Sequence, residues 1–520
     1  MRNPDMDDGA FGPTASPPGA KPTSAVAVVN GSDSAPIAAS ASPAPTARSH
    51  VAAMSAARPS GVGVPSTTDP WALTGTVASG AAALSTPVAS GAVALPAAVA
   101  SGAVALSTAA ASGAVALPAA VAGPPPHYVQ PLLKTPFHNR ARVLSQLDSF
   151  IPWAGYTTVD VFTNVDQEYF AIRNGTTLYD LTPMVKYRIA GSSALAFLNR
   201  LVTRDISKLK VGRVAYCVWC DDAGHLIDDG TVFRLSENEY RLCTAERQLD
   251  WLLSSAIGFD PLVIEEVTEQ IAALAMQGPT SYAVLANAGF VGVEHLEPFE
   301  IGTFDAAGVR LMVSRTGFTG DLGYELWMDP SSAERVWDLL MAAGHTRAIR
   351  PIGSKALNIA RIEAGFLQPN VDFVSSHHTV LIGRDRSPLE LGLEWLVDFN
   401  KPYFTGRRAL VEEKRRGPTC RLVGLDIDGN KPAHNALLYS DRGGRKEVGS
   451  VTSATWSPTC KRNIALAMID APHFTMGNTV WADIYLNREL VWERRMARAR
   501  IVERPFFAPD RRKATPPGNY

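Results

Sequence analysis

A chain of 520 residues carrying 49 basic and 50 acidic side chains, for a net charge of −1, is long enough for about two to four domains at roughly 100–200 residues each. So even a charge balance gives no phosphate-tracking surface and points away from nucleic acid toward small-molecule chemistry. Five cysteines, Cys217, Cys220, Cys243, Cys420 and Cys460, are an odd number spread through the chain, the usage of reduced thiols and not of a disulfide framework.

Residues 1–125 form a low-complexity tail rich in Ala, Ser, Gly and Pro, with no charged side chain from Trp71 to Pro126. Within it, "ASGAAALSTPV" and three close variants begin at Ala78, Ala89, Ala100 and Ala111. Ser-Gly in each unit, with Pro87, Pro96 and Pro118, works against a continuous helix, and few large apolar side chains speak against a membrane span. The acidic start "MRNPDMDDGA" is neither a secretory signal nor an Arg-rich transit peptide. The expectation is a disordered tail, or a start codon placed too early, on a cytoplasmic protein.

From His127 the composition becomes globular. In 176–203, "KYRIAG" predicts a strand, and Ala194, Phe197, Leu198 and Leu201 at helical spacing predict a helix. "GRVAYCVWCDDAGHLIDDGTVFRLSENEYRLCTA" reads as a meander with turns at Asp-Asp-Ala-Gly and Ser-Glu-Asn-Glu. Its CxxC, Cys217 and Cys220, falls within a strand, where residues three apart face opposite ways, so a metal or redox site is not expected. A helix follows at about 248–256. Residues 271–345 repeat the plan: strand, turn at Gly278-Pro279, helix, then the hairpin "SRTGFTGDLGYELWMDP" and a helix over 333–342. After Pro402 the chain reads as strand-rich and largely helix-free, a small barrel or sandwich over 401–515. Without regular βαβ alternation, α+β is favoured.

In order, "GHLIDDGTVFR", "AMQGPTS", "SRTGFTGDLGYEL", "RIEAGF", "YFTGRRAL" and "GSVTSATWSPTCKRNIALAMI" resemble the signature series of the glycine cleavage T-protein family, the folate-dependent aminomethyltransferases. The resemblance covers about Phe137 to Phe507. It implies a three-domain cloverleaf: two α+β folate-binding halves over 126–400, with a break near 260, and a C-terminal β-barrel-like domain. Tetrahydrofolate is implied in a central channel.

The resemblance also implies site residues. Glu325 would accept two adjacent pterin N–H donors at once. Gly317, Gly320 and Gly323 would allow tight turns and close backbone approach, with Phe318 or Tyr324 packed near the ring. Asp228, the first acid of "LIDDG", matches the catalytic aspartate, while Asp229 reads as turn chemistry. Arg361 matches a retained arginine. Tyr216, Trp395 and the loop over 372–390 are expected at the pocket mouth, where specificity lies.

Two departures bear on activity. T-proteins typically carry an arginine where this chain has Leu357, a place where leucine resembles the folate domains of sarcosine and dimethylglycine dehydrogenases. "SPLELGL" is similar to folate-dependent demethylases acting on methylated sulfur or aromatic ethers. The reading is therefore one-carbon transfer to tetrahydrofolate from a small methylated or aminomethyl donor. The alternatives are a glycine cleavage aminomethyltransferase served by a lipoylated carrier protein and a non-catalytic folate-binding module. No nucleotide-binding glycine motif is present, so any redox partner would be a separate protein.

Overall fold

A computed structural model describes residues 131–518 apart from 382; the tail expected over 1–125 lies outside the described residues. The described chain opens with a small sheet, β1 (Leu133–Lys134), β2 (Ser149–Trp153) and β3 (Tyr156–Val161), accompanied by α1 (His138–Leu144) and followed by α2 (Val165–Asn174). Next come β4 (Thr177–Asp180), β5 (Val185–Ala190), α3 (Ala194–Leu201), the meander β6 (Val214–Cys220), β7 (Leu226–Arg234) and β8 (Glu239–Thr244), α4 (Leu249–Ser255) and β9 (Val263–Glu266). The second stretch holds β10 (Ala272–Gln277), α5 (Ser281–Asn287), β11 (Ile301–Ala306), β12 (Val309–Ser314), β13 (Gly323–Met328), α6 (Ala333–Ala343), β14 (Arg350–Pro351) and α7 (Ser354–Glu363). The last comprises α8 (Arg407–Arg416), β15 (Cys420–Ile427), β16 (Leu437–Tyr439), β17 (Glu447–Ser457), β18 (Arg462–Asp470), β19 (Thr479–Arg488) and β20 (Val491–Val502).

The strands form one sheet of order β6-β7-β8-β5-β9, a second of order β11-β12-β13-β10-β4-β14, and a closed barrel β15-β18-β17-β16-β19-β20. This mixed α/β architecture, with a barrel at the C-terminal end, is the expected fold class. The two halves are not sequential, however. Strand β4 precedes the first sheet in the chain yet pairs with β10 and, in parallel, with β14, so the second sheet is stitched from both sides of residue 260.

Strand alternation explains the packing. On β10, Ala272, Leu274 and Met276 join one core, while Ala273 and Ala275 join another, as a central strand covered on both faces should. On β18, Ala465, Ala467 and Ile469 fill the barrel, whereas Leu466 and Met468 pack outward with Cys220, Leu226 and Leu391. The barrel is thereby fixed to the first half by apolar burial. Cys217 and Cys220 do face opposite ways, into separate cores.

After Pro402 the chain is strand-rich and largely helix-free as expected, with one helix ahead of the barrel. Helix α8 precedes the barrel, with Leu410 and Glu413 buried. It starts behind Gly406 at φ +84°, where a Cβ would lie 2.6 Å from the Asp221 carbonyl oxygen, so glycine is required there.

Candidate functional site

A cavity of about 1860 Å³ is lined by both sheets, α7 and the barrel. Drug-sized ligand pockets run to roughly 300–1,000 Å³, so this one has room for a ligand larger than a single ring. Five carboxylates line it, Asp160, Asp229, Glu246, Glu325 and Glu503, and of these Asp229, Glu246, Glu325 and Glu503 have no ion-pair partner among the described residues. By contrast, Asp160, also in the lining, is paired with Lys355 at 2.9 Å.

Glu325 sits on β13, opposite Ala275 of β10 and Ser314 of β12. Its Oε2 accepts from the Thr316 hydroxyl at 2.6 Å. Burial pushes its carboxyl up to about 7, against the lowering influence of the Thr316 and Ser314 hydroxyls. Such a group near neutrality is poised to be ionised by a ligand that donates to it.

Of the hairpin glycines, Gly320 serves the tight turn expected, while Gly317 and Gly323 make room for a side chain. Only Gly320 has a left-handed backbone, at φ +69°. A Cβ on Gly317 or Gly323 would lie 2.1 Å or 2.2 Å from Oε1 of Gln277. The Gln277 amide threads between them, donating to the carbonyls of Thr316 and Tyr324 and accepting from the Thr319 hydroxyl. The hairpin is thus clamped to β10, which fixes the strand carrying Glu325.

Phe318 lines the cavity and stacks on Phe366, with centroids 5.6 Å apart and an interplanar angle of 21°. Tyr324 does not reach the cavity. It is fully buried in the core beside Leu326 and Met328, on the opposite face of β13 from Glu325. Adjacent strand residues cannot share a face, which corrects the pairing of Tyr324 with the ring site.

The aspartates divide in the same way. Both lie within β7, not in a turn, and the tight turn is at Asp221–Gly224. Asp228 shares the parity of Val232, a member of the first half's core, and is 1% exposed. Its carboxylate accepts from the Asp229 backbone N–H at 2.8 Å and from Gln248 Nε2 at 3.3 Å. Asp229 points the other way, lines the cavity, and accepts from the Tyr216 hydroxyl at 2.6 Å. Burial and the neighbouring Asp229 charge push the Asp228 carboxyl well up, and burial pushes Asp229 up to about 6, with the Tyr216 hydrogen bond opposing. Two acids on one strand, back to back, therefore each resist ionisation.

Tyr216 and Trp395 both line the cavity, their rings 6.2 Å apart. Arg361 borders it too, but its guanidinium is largely committed. It donates to Asn358, to the Phe366 carbonyl, to Asp372 and to Ser453 of the barrel, which makes it a tie between α7 and the barrel. The wall expected from residues 372–390 comes instead from 366–371. Glu246, which follows β8, is a lining acid that sequence reading missed, having no motif around it; burial raises its pKa. Leu357 and Asn358 of α7 also line the cavity.

A neighbouring network holds these parts together. Glu363, fully buried at the end of α7, accepts from Arg173 at 2.6 Å and from the hydroxyls of Tyr169 and Ser457. Its backbone carbonyl accepts from Phe506 and Phe507. One residue thus joins α2, α7, the barrel and the C-terminal segment.

Two α/β sheets closed by a barrel over an acid-lined cavity define the fold class of the glycine cleavage T-proteins. The chain matches the GCVT N-terminal domain over residues 111–401 and the glycine cleavage T-protein C-terminal barrel domain over 421–508. An aminomethyltransferase of Desulforamulus reducens is 32% identical over 384 residues, covering 73% of this chain and 99% of the relative. One of Caldanaerobacter subterraneus is 33% identical over 370 residues, covering 70% and 93%. The crystal structure of glycine cleavage system aminomethyltransferase T from Bartonella henselae superposes with a TM-score of 0.63 at 24% identity, covering 72% of this chain and 98% of that one. The chain belongs to the glycine cleavage T-protein family. Tetrahydrofolate is the cofactor of that family. Among the described residues, no helix is long and apolar enough to cross a membrane.

Proposed function

We propose that this protein transfers a one-carbon unit to tetrahydrofolate bound in the cavity, and that the unit arrives as an aminomethyl group. The observation that carries this reading is the group of unpaired carboxylates Asp229, Glu246 and Glu325 on the sheet side of one cavity, with an aromatic pair, Phe318 and Phe366, beside the Glu325 hairpin. The names of the relatives support aminomethyl transfer in particular, and with it a lipoylated carrier protein as partner.

The residues fit the cofactor. Glu325 has acceptor capacity left beyond its Thr316 bond, which suits two adjacent ring N–H donors, and Phe318 with Phe366 supplies a flat apolar wall. Bound tetrahydrofolate supplies the nitrogen that accepts the one-carbon unit. Asp229 is the residue placed to hold or move a proton during transfer: it lines the cavity, and its Oδ2 is oriented by Tyr216. A carboxyl near 6 exchanges its proton readily at neutral pH. Asp228, behind the strand, positions Asp229 through its backbone N–H.

Leu357 favours a second reading. It lines the cavity where T-proteins typically place an arginine, and an apolar contact there suits a small methylated donor and a demethylating reaction. One experiment separates the two: supply tetrahydrofolate with an aminomethylated dihydrolipoyl carrier or with methylated amines, sulfonium compounds and methoxyaromatics. Methylene-tetrahydrofolate and ammonia from the carrier are the expected products. Methyl-tetrahydrofolate from a methylated donor would establish the second reading, and no product from any donor would overturn both.

A further inference from the structure

The barrel is incomplete at one corner. Strand β16 pairs with β19 only at Trp481 and Ala482, and β15 pairs with β20 only from Ala499 to Val502. Beyond those points β19 and β20 have only each other, in an unbroken register from Asp483↔Met496 to Arg488↔Val491. This two-stranded ribbon leaves both outer edges without a neighbouring strand among the described residues, an arrangement that invites a further strand. Its end is apolar: Leu490 is 98% exposed and Trp492 69%, with Val491 and Tyr485 exposed beside them.

The β20 edge is free to bond and close to neutral. On the β15 side the Arg498 carbonyl accepts from the Asp428 N–H at 2.8 Å, while on the β19 side Ile501 bonds to Gly477 and Asn478. Backbone groups alternate between the two sides of an antiparallel strand, so those of Trp492, Arg494 and Met496 point outward, where no strand pairs. Charged residues, prolines and bulges usually shield such an edge. From 491 to 498 this one has no proline and no register shift, and each of its arginines has an acid from its own chain. Arg494 pairs with Asp483 at 2.9 Å, Arg495 with Glu493 at 3.5 Å and Arg498 with Asp428 at 3.2 Å.

We propose that the β20 edge pairs with the same edge of a second copy of this chain, forming a two-fold dimer. The stretch "VWERRMA", 491–497, is self-complementary about Arg494. An antiparallel pairing centred there lets the outward N–H and carbonyl of Arg494 exchange bonds with the partner's Arg494. It also sets Glu493 opposite the partner's Arg495, and Trp492 opposite the partner's Met496. Opposite-charge and apolar cross-strand pairs are the ones that stabilise a ladder, and the two facing Arg494 side chains are each offset by Asp483. Centring on Glu493 or Arg495 would oppose like charges, and centring on Trp492 or Met496 would separate Glu493 from the partner's Arg495. The β19 edge has no comparable register, since "IYLNR", 484–488, holds no acid. A contact of this kind closes at two copies. It is far shorter than the roughly 20–30 residues a side of a standard interface, so the dimer is weak and forms at high concentration.

Sedimentation velocity on the full chain over about 1–500 μM, the range of a weak association, tests this. The weight-average mass should climb toward that of two chains and no further. Glu493→Arg, which leaves only arginines at 493–495, should hold the protein monomeric over the same range, and Arg495→Glu should do the same. The exchange Glu493→Arg/Arg495→Glu restores the alternation with its signs reversed and should restore the dimer, which a merely structural role for either residue does not explain. Arg494→Pro removes the outward N–H at the centre while sparing the bonds to β19, and should abolish the dimer with an unchanged melting temperature. If that variant melts earlier, the charge variants carry the test. A dimer that survives Glu493→Arg, an exchange that fails to restore it, or assembly beyond two copies would overturn the proposal. So would a wild type that stays monomeric throughout, and if anionic vesicles then shift the Trp492 fluorescence, the exposed tip belongs to a lipid surface instead.

Discussion

Strands β7 and β13 each deliver a carboxylate to the same cavity from differently built neighbourhoods. Glu325 stands alone on its strand among neutral hydroxyls, and its neighbours Tyr324 and Leu326 are apolar and turned into the core. Asp229 stands in front of a second acid, Asp228, and takes a hydrogen bond from Tyr216. A lone acid without a counter-charge is suited to accept hydrogen bonds from a ligand. An acid backed by another acid, with one oxygen held by a phenol, is suited to exchange a proton. On the proposed reading, β13 serves binding and β7 serves transfer.

The largest expected effect tests the β7 side. Asp229→Asn should slow transfer by about 10²–10⁴ with folate affinity within a few-fold, the range for a removed general acid–base group; single-turnover rates at saturating folate measure it. Next is Glu325→Ala, which leaves ligand donors unpaired. It should weaken tetrahydrofolate binding by about one to several orders of magnitude, at about 1.5–3 kcal/mol per charge-assisted bond, with an unchanged melting temperature as control.

A pH series sharpens the contrast further. The Glu325 carboxyl sits at about 7, raised from 4.5 by burial, so below pH 7 it is mostly protonated and must lose that proton to accept from the ligand. Folate affinity should therefore drop as pH falls below 7, by up to about tenfold per unit, and Glu325→Gln should flatten the profile. The same raised pKa acts on stability with the opposite sign. The folded state holds a proton that the unfolded chain releases above about 4.5, so this contribution is full below 4.5 and is lost as pH rises through about 7. The smallest effect belongs to Asp228→Asn. Because Asp228 is buried behind the strand, where burial and the neighbouring Asp229 charge push its carboxyl well up, a neutral amide of the same shape should change the rate at saturating folate by only a few-fold. A loss as large as that of Asp229→Asn would break the comparison and return the role to Asp228.

Much of this was legible in sequence where periodicity was clean. "TVWADIYLN" alternates as a barrel strand should, and Val480, Ala482 and Ile484 do fill the barrel, while "NIALAMID" is the continuous apolar run of a strand buried on both faces. The face of Tyr324 was legible too, since Tyr324, Leu326 and Met328 share parity in an apolar row, and Glu325 breaks it. The assignment between Asp228 and Asp229 was not. Asp-Asp-Gly mimics turn chemistry, and the register shift between Trp219 and Cys220 occurs where β7 begins, so parity could not be counted through from β6. Helix α8 was hidden by the strand-rich sequence after it.

The separation of roles is tested most directly by measuring two quantities on two variants, the tetrahydrofolate Kd and the single-turnover rate at saturating folate for Glu325→Gln and Asp229→Asn. The expected result is a crossing, in which Glu325→Gln raises the Kd and leaves the saturated rate within a few-fold, while Asp229→Asn does the reverse. If both variants move the same quantity, or if Asp229→Asn leaves the rate intact, β7 and β13 do not divide the work and the account fails.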